Sequence, residues 1–379
     1  MHVTIDYLRQ WQESGKKIGV YCAGTHGKHF SRILRLVGVR TSLYLDSDSG
    51  KWNTEIDGVP CCNPDGLSGS KDLLVFVCIA SEQYLSVLNS VKERFQTADF
   101  TDVIDDIILH YRDVYLKMIE LYASLDAADI FYHLPLNTAP AVGPGDFCGD
   151  RIAVYTGIFG GYDEVHIPRV HPSNIDYFFV SDHDPGDIGP FHWMDAKRVI
   201  PEILSSPIKR NRYIKMHPHL LFPDYKYSIY LDGNIGVTGD ITEFVHHNKS
   251  GISVFMHPKR DCIFYEAITI VNFRRVVPSD VCQQMERYLE EGMPLHYGMP
   301  EMPVIAMEHA KPECRKILED WWREFDCGAQ RDQLSFMYAV WKNGMTLLDL
   351  TALGANVKTC SLLYQKEHGG ESRKIANST

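Results

Sequence analysis

The chain has 379 residues, 45% hydrophobic, 23% charged and 11% aromatic, with a formal net charge of −11. That composition builds apolar cores, excludes a disordered chain and leaves room for two domains of ordinary size. An acidic chain with no long basic stretch does not neutralise nucleic-acid phosphates, and no run reaches the roughly 20 apolar residues of a membrane span.

The first residues, Met1-His2-Val3-Thr4-Ile5-Asp6, lack the charged and apolar regions of a signal peptide. With no span either, the expected place is the cytoplasm, or peripheral attachment at an inner membrane face. Lys17 to Ala23 is a short apolar run suited to a strand buried on both faces. Gly24-Thr25-His26-Gly27 turns the chain into a helix whose apolar spacing is Phe30, Ile33, Leu34 and Val37. A strand from Arg40 to Leu45 ends in Asp46, and Gly58-Val59-Pro60 signals a short edge strand. The neighbouring Cys61-Cys62 is the one adjacent pair among ten scattered cysteines without Cys-x-x-Cys spacing, which read as reduced thiols. Leu73 to Ala80 is a further apolar strand, followed by a helix from Glu82 to Arg94. Strand and helix alternating in this way predict a Rossmann-like parallel sheet over 14–98. Gly24, Gly27 and Asp46 are its candidate ligand residues: the turn offers backbone N–H groups to a phosphate, and Asp46 stands where a ribose-binding acid would. The full Gly-x-Gly-x-x-Gly pattern is absent, because Cys22 occupies the first glycine position. Cofactor binding and pure scaffold both remain open.

Residues 99–149 read as a helical connector and linker. An apolar stripe at helical spacing runs from Val103 to Tyr122, and three prolines and three glycines lie between Leu134 and Gly149. A second alternation follows over 150–365. It has strands at Arg151–Gly157, Asp176–Ser181, Tyr227–Leu231 and Gly251–Met256, with helices at Pro278–Glu291, Pro312–Phe325 and Arg331–Lys342. A polar tail covers 366–379.

The chemistry concentrates in this second part. Tyr227 to Leu231 is an apolar strand ending in Asp232-Gly233-Asn234. In open α/β sheets ligands bind beyond the carboxyl ends of strands. An acid there, with a second oxygen two positions on, suits a hard divalent cation (Mn2+ or Mg2+) facing a diphosphate. A plain hairpin turn is the rival reading. Asp176 to Ser181 likewise ends in an acid, Asp182, and Thr156-Gly157 leads into a glycine-rich loop that reaches Tyr162. Between them Lys209, Arg210, Arg212 and Lys215 are sized for a diphosphate. Arg212 and Lys215 are placed to share a helix face, though a solvated face would look the same. His257 could complete a metal shell or contact the donor, though a lone His after a strand is more often structural; Glu308-His309 is a lesser catalytic candidate, and Trp321-Trp322 reads better as core.

The runs "VYTGIFGGYD", "FFVSDHD", "IYLDGNI" and "RDQLSFMYAVWKNG", in that order over about Asp150 to Gly344, resemble a glycosyltransferase-like domain family of plant mucilage and wall biosynthesis and bacterial capsule loci. The resemblance implies a GT-A fold, a nucleotide-sugar donor (a UDP-sugar foremost) and a glycan acceptor. Carried over residue by residue, it makes Asp182, Asp232 and Asn234 donor-facing; the pattern of the residues themselves adds Thr156, Gly157, Tyr162, Arg212, Lys215 and Gly233 to the candidate donor site, and His257 to Asp232 and Asn234 as candidate metal ligands. The family's acid-x-acid pair is Asp232-Gly233-Asn234 here, and Asn in place of the second acid weakens the case for a metal. Asp332 and Gln333, opening a late helix, would stand near the reacting sugars, with Asp332 as general base if transfer inverts and Glu266 as a lesser candidate. An Asp at a helix start can also merely cap it. The N-terminal runs "KIGVYCAGTHGKH" and "IDGVPCCNPDGL" resemble small Rossmann-like domains of polysaccharide-biosynthesis proteins. Two other functions stay open: a non-catalytic sugar-nucleotide or glycan-binding subunit, and an NAD(P)-dependent sugar oxidoreductase acting through the first domain.

Overall fold

The computed structural model describes residues 2–79, 84–124, 149–161, 164–273 and 276–366. Two compact units emerge, one of Met1–His133 with Phe264–Glu290, the other of Leu134–Ile263 with Glu291–Thr379.

The first unit carries a six-stranded sheet in the order β3-β4-β2-β1-β5-β6. Its strands are β1 (Lys17–Tyr21), β2 (Leu43–Leu45), β3 (Thr54–Ile56), β4 (Val59–Cys62), β5 (Leu73–Val77) and β6 (Gln96–Ala98). Every residue of β5 is buried, and it pairs in parallel with β1 and β6, as an uninterrupted apolar run requires. The edge strand expected at 58–60 is instead the inner arm of a hairpin. Asp57 (φ 53°) and Gly58 (φ 75°) make a two-residue turn, so β3 forms the edge and β4 pairs with β2. The long apolar stripe after β6 divides at Tyr111 into helices Phe100–His110 and Arg112–Ser124. Helices Ile263–Asn272 and Pro278–Glu290, which the sequence reading placed in the second domain, pack mostly here. Tyr115 donates to Phe264 O (3.0 Å), Tyr265 to Asp105 Oδ1 (2.8 Å) and Asn272 Nδ2 to Tyr122 O (3.0 Å).

The second unit is built on β7 (Ile152–Ile158), β8 (Ile175–Ser181), β9 (Phe191–Asp195), β10 (Tyr227–Leu231), β12 (Ile252–Met256), β13 (Pro300–Met307) and β14 (Thr351–Gly354). They form a seven-stranded sheet in the order β14-β12-β13-β10-β7-β8-β9. β13 runs antiparallel to both neighbours, and the remaining pairs are parallel. Counted within this sheet alone the order is 3-2-1-4-6-5-7 with the sixth strand reversed, the GT-A arrangement that the resemblance implied. One face packs Ile152, Val154, Ile229, Phe255 and Val304 against Val357 and Leu363. β7 leads out to β8 and β9 on one side, whereas β10 returns on the other. The carboxyl ends of β7 and β10 therefore flank the point where strand order reverses, the usual ligand crevice of such sheets. A separate ribbon, β11 (Ile235–Val237) with β15 (Leu363–Gln365), starts directly after Asp232-Gly233-Asn234. Among the described residues, no helix is long and apolar enough to cross a membrane.

Candidate active site

Asp232 follows a fully buried strand, and its backbone is fixed on both sides. Its N–H donates to Pro303 O (2.8 Å) and its carbonyl accepts from Ile235 N (2.9 Å). The segment 232–235 is thus a β-turn, as the rival reading held. It is not a hairpin, because β11 pairs with β15 rather than with β10.

A connected polar network grows from this turn. The Tyr230 hydroxyl lies 2.9 Å from Asp232 Oδ1 and 3.0 Å from Asn211 Oδ1, and Asn211 Nδ2 donates to Gly157 O at 3.0 Å. Burial, and then the charge of Asp232, hold the Tyr230 phenol well above its ordinary pKa, so it remains a donor. Lys215, 1% exposed, places its ammonium 2.8 Å from Asp332 Oδ2 and 3.7 Å from Asp232 Oδ1. The same ammonium stands 5.2 Å from the Tyr230 ring centre and 5.8 Å from that of Trp321. Arg212 Nε reaches Asp332 Oδ2 at 2.9 Å. The ends of β7 and β10, the helix Pro207–Met216 and the start of the helix Asp332–Lys342 are tied together in this way.

Arg212 and Lys215 share a helix face as expected, but both are drawn to Asp332. Burial pushes that carboxyl up, yet Arg212, Lys215 and Arg331 outweigh it and hold the pKa far below the usual carboxylate range. A carboxylate so stabilised is a poor proton acceptor, which argues against the general-base role expected of Asp332. Nor does its side chain act only as a cap, since it is the counter-ion of the buried Lys215 and the half-buried Arg212. Its backbone carbonyl accepts from Trp321 Nε1 (2.9 Å), so Trp321 is core, as expected, and also supports the site. Gln333 is buried and donates through Nε2 to Pro300 O. Glu301, on β13, behaves oppositely: burial raises its pKa while its carboxylate accepts from Val357 N (3.2 Å).

The other nominated residues divide. Thr156 is buried at the end of β7, and its hydroxyl has no hydrogen-bond partner. At Gly157 a Cβ would lie 2.2 Å from Ile214 Cδ1, so any larger residue must push that side chain aside. Asp182 pairs with Arg210 Nη1 (2.8 Å) and accepts from Gly160 N (3.2 Å), which closes the loop after β7. Lys209 turns to Asp326 (2.6 Å). Asn234 is buried and clasps the end of the ribbon: its Nδ2 donates to Lys366 O (2.9 Å) and its carbonyl accepts from Lys366 N (3.0 Å). Tyr162 lies outside the described residues. Glu266 is buried on a helix of the first unit. His309, buried between Ser228 Oγ (2.9 Å) and Phe222 O (3.1 Å), is structural. His257 Nδ1 accepts from Lys259 N (3.2 Å) and Arg260 N (3.0 Å), which puts the ring proton on Nε2. Burial, then Arg260, Lys259 and Arg331, carry its pKa down to about 2. A ring whose remaining nitrogen is a donor does not fit the metal-ligand role expected of it.

The described residues hold no group of three or more His, Cys, Asp or Glu side chains placed to grip a metal. The pair expected to hold a hard cation, Asp232 and Asn234, offers one carboxylate, with the Lys215 ammonium 3.7 Å away, and one amide, whose nitrogen is on Lys366 O. Such a pair suffices when diphosphate oxygens and water complete the shell.

In the first unit Asp46 is already engaged. It accepts from Ala23 N (2.9 Å), Asp48 N (2.9 Å) and Lys51 Nζ (2.9 Å), binding the loops after β1 and β2 to each other. Gly24 precedes the helix Thr25–Leu36. Gly27 is required because a Cβ there would sit 2.0 Å from the Cys22 carbonyl oxygen. These contacts give Asp46 and Gly27 a scaffold role, whereas a Cβ at Gly24 would meet nothing within 4 Å.

Residues 199–358, a little under half of the chain, match the family TOD1/MUCI70, glycosyltransferase-like domain. The resemblance read from the sequence therefore holds over that segment. A probable hexosyltransferase, MUCI70 of Arabidopsis thaliana, is 23% identical over 251 residues, covering 59% of this chain and 43% of its own. The chain thus spans less than half the length of that relative. Among solved structures, the apo form of WbbM, a bifunctional glycosyltransferase, is 13% identical with a TM-score of 0.35 over 71% of this chain and 51% of its own. Mouse xyloside xylosyltransferase 1, also apo, is 11% identical with a TM-score of 0.34 over 54% of this chain and 85% of its own.

Proposed function

We propose that the second unit is a nucleotide-sugar-dependent glycosyltransferase, moving a hexosyl group from a UDP-sugar to a glycan hydroxyl. The observation that carries this reading is the network at the strand-order reversal, where Asp232 and Asn234 stand beside Lys215, Arg212 and Asp332. Departure of a nucleoside diphosphate needs positive charge already in place, in a site where little reorganisation is required. A buried ammonium boxed by two rings and a carboxylate meets that need. Thr156 and Gly157, at the end of β7, offer a hydroxyl without a partner and a backbone with no side chain in the way, suited to the nucleoside.

Asp332 serves as a positioning residue in this account, holding Lys215 and Arg212 rather than taking the acceptor proton. Asp232 and Asn234 would hold a divalent cation, which supplies further neutralisation of the diphosphate. A second reading, sugar-nucleotide binding without transfer, is favoured by Asn234, which stands where the family's pair has its second acid.

One turnover experiment decides between them. Release of nucleoside diphosphate is followed from UDP-, GDP-, dTDP- and CMP-sugars, with oligosaccharide acceptors, with and without Mn2+. Release from a UDP-sugar that depends on acceptor and is lost in Asp232→Ala supports transfer. Saturable binding without release under any condition sinks transfer and leaves the binding subunit.

A further inference from the structure

A second group of cations lies beside this site, apart from Arg212 and Lys215. β12 ends in Met256, followed by His257-Pro258-Lys259-Arg260. The helix Asp332–Lys342 begins against this end: Gln333 Nε2 bonds Pro300 O, Pro300 is the register partner of Met256, and His257 N donates to Met299 O (3.0 Å). Arg331, immediately before the helix, thus stands between the Asp332 cluster and the β12 end. Its charge is felt at both Asp332 and His257. Arg260 is 7% exposed, and the neutral His257 ring adds an Nε2 donor.

Arg331 Nε is buried and has no hydrogen-bond partner. Leaving a buried donor unmade is unfavourable, so its position makes sense when something accepts from it. β12 is two strands away from β10, with β13 between. At about 4.8 Å per strand that is roughly 10 Å from the Asp232 turn. That end is far for a diphosphate seated at Asp232, and Arg331, standing between the two, is placed for the sugar attached to that diphosphate or for the sugar accepting it. A planar guanidinium with its fork of donors matches a carboxylate in two-point contact.

We propose that Arg331 binds a carboxylate, so that one of the two sugars handled here is a uronate. The proposal rests on the glycosyltransferase reading. Donor and acceptor are the two sources of that carboxylate, and the test has an arm for each. Dissociation constants are measured for UDP, for UDP-glucose against UDP-glucuronate, and for oligogalacturonate against its methyl ester, in the parent, Arg331→Gln and Arg331→Lys. The acid form should bind the parent roughly tenfold to a hundredfold better than its neutral counterpart in one arm, as a charge-assisted contact implies. Arg331→Gln should erase that preference while leaving UDP unchanged. Arg331→Lys, which keeps the charge without the fork, should retain part of it and covers the case where the Gln variant does not fold. Equal binding of acid and neutral forms by the parent in both arms overturns the inference while leaving the transferase reading intact. So does a loss of UDP binding in folded Arg331→Gln that matches the loss for the sugars. If UDP and its sugars do not bind the parent at all, the transferase reading falls and takes the inference with it.

Discussion

Asp332→Asn isolates what the buried carboxylate does. The substitution keeps the side-chain volume but leaves Lys215, 1% exposed, and Arg212 without the charge they contact at 2.8 and 2.9 Å. Breaking a buried ion pair by removing one partner costs about 3–5 kcal/mol. For a unit of this size each kcal/mol lowers the melting temperature by about 2–4 °C, so a drop on the order of 10 °C is expected. Combining it with Lys215→Met, which removes one orphaned cation, should recover part of the loss as a coupling of about 1–3 kcal/mol. Urea unfolding followed by circular dichroism measures all three variants against the parent. The pH dependence has a definite sign as well. A carboxyl held below its unfolded pKa of about 3.9 contributes its full stabilisation above that pH and loses it as pH falls further. The Asn variant should therefore be destabilised equally at pH 8 and pH 5. A loss below about 1 kcal/mol, or strict additivity with Lys215→Met, would refute the counter-ion role and return Asp332 to the list of proton acceptors.

Gly157→Ala sets a Cβ 2.2 Å from Ile214 Cδ1 and should cost about 1–3 kcal/mol in the same urea assay, with the loss falling in the second unit. Gly27→Ala meets backbone rather than a movable side chain, at 2.0 Å from the Cys22 oxygen, so it should cost at least as much and show in the first unit. Asn234→Ala removes the bond to Lys366 O, worth about 1 kcal/mol, and should expose the end of β15 to limited proteolysis near residue 366. His309, neutral when folded because burial takes its pKa down to about 4, accepts its proton readily only in the unfolded chain. Stability should then fall by about 2 kcal/mol on its account between pH 7 and pH 5, and His309→Gln should remove that part of the slope.

Much of the scaffold could be read from the chain because its central strands are largely apolar runs. β5, β7, β8, β10 and β12 are of this kind, and Asp182 and Asp232 stand at strand ends as expected. β13 is not evident in the sequence because Pro300 and Pro303 break its pattern; Pro303 falls in the stretch 302–304, where the register with β12 shifts between Val254 and Phe255. β3 escaped notice although Asp57-Gly58 is a strong hairpin signal. At the site, the charges of Arg212 and Lys215 drew attention, while Asn211 beside them and Tyr230 within the strand did not. Both look like ordinary helix and strand residues until the fold brings them together. The partner of Lys215 could not be foreseen either, because Asp332 lies 117 residues away in sequence. Glu301 gave no signal, since its raised pKa comes from burial that periodicity does not report.

Hydrogen exchange read by mass spectrometry, with and without saturating UDP, tests the central claim most directly because it locates the ligand. Binding at the strand-order reversal predicts slowed exchange in peptides covering 152–161, 207–216 and 231–237, and loss of that protection in Asp232→Ala. Protection confined to 22–36 in the first unit, unchanged by Asp232→Ala, would contradict it and move the nucleotide to the other sheet.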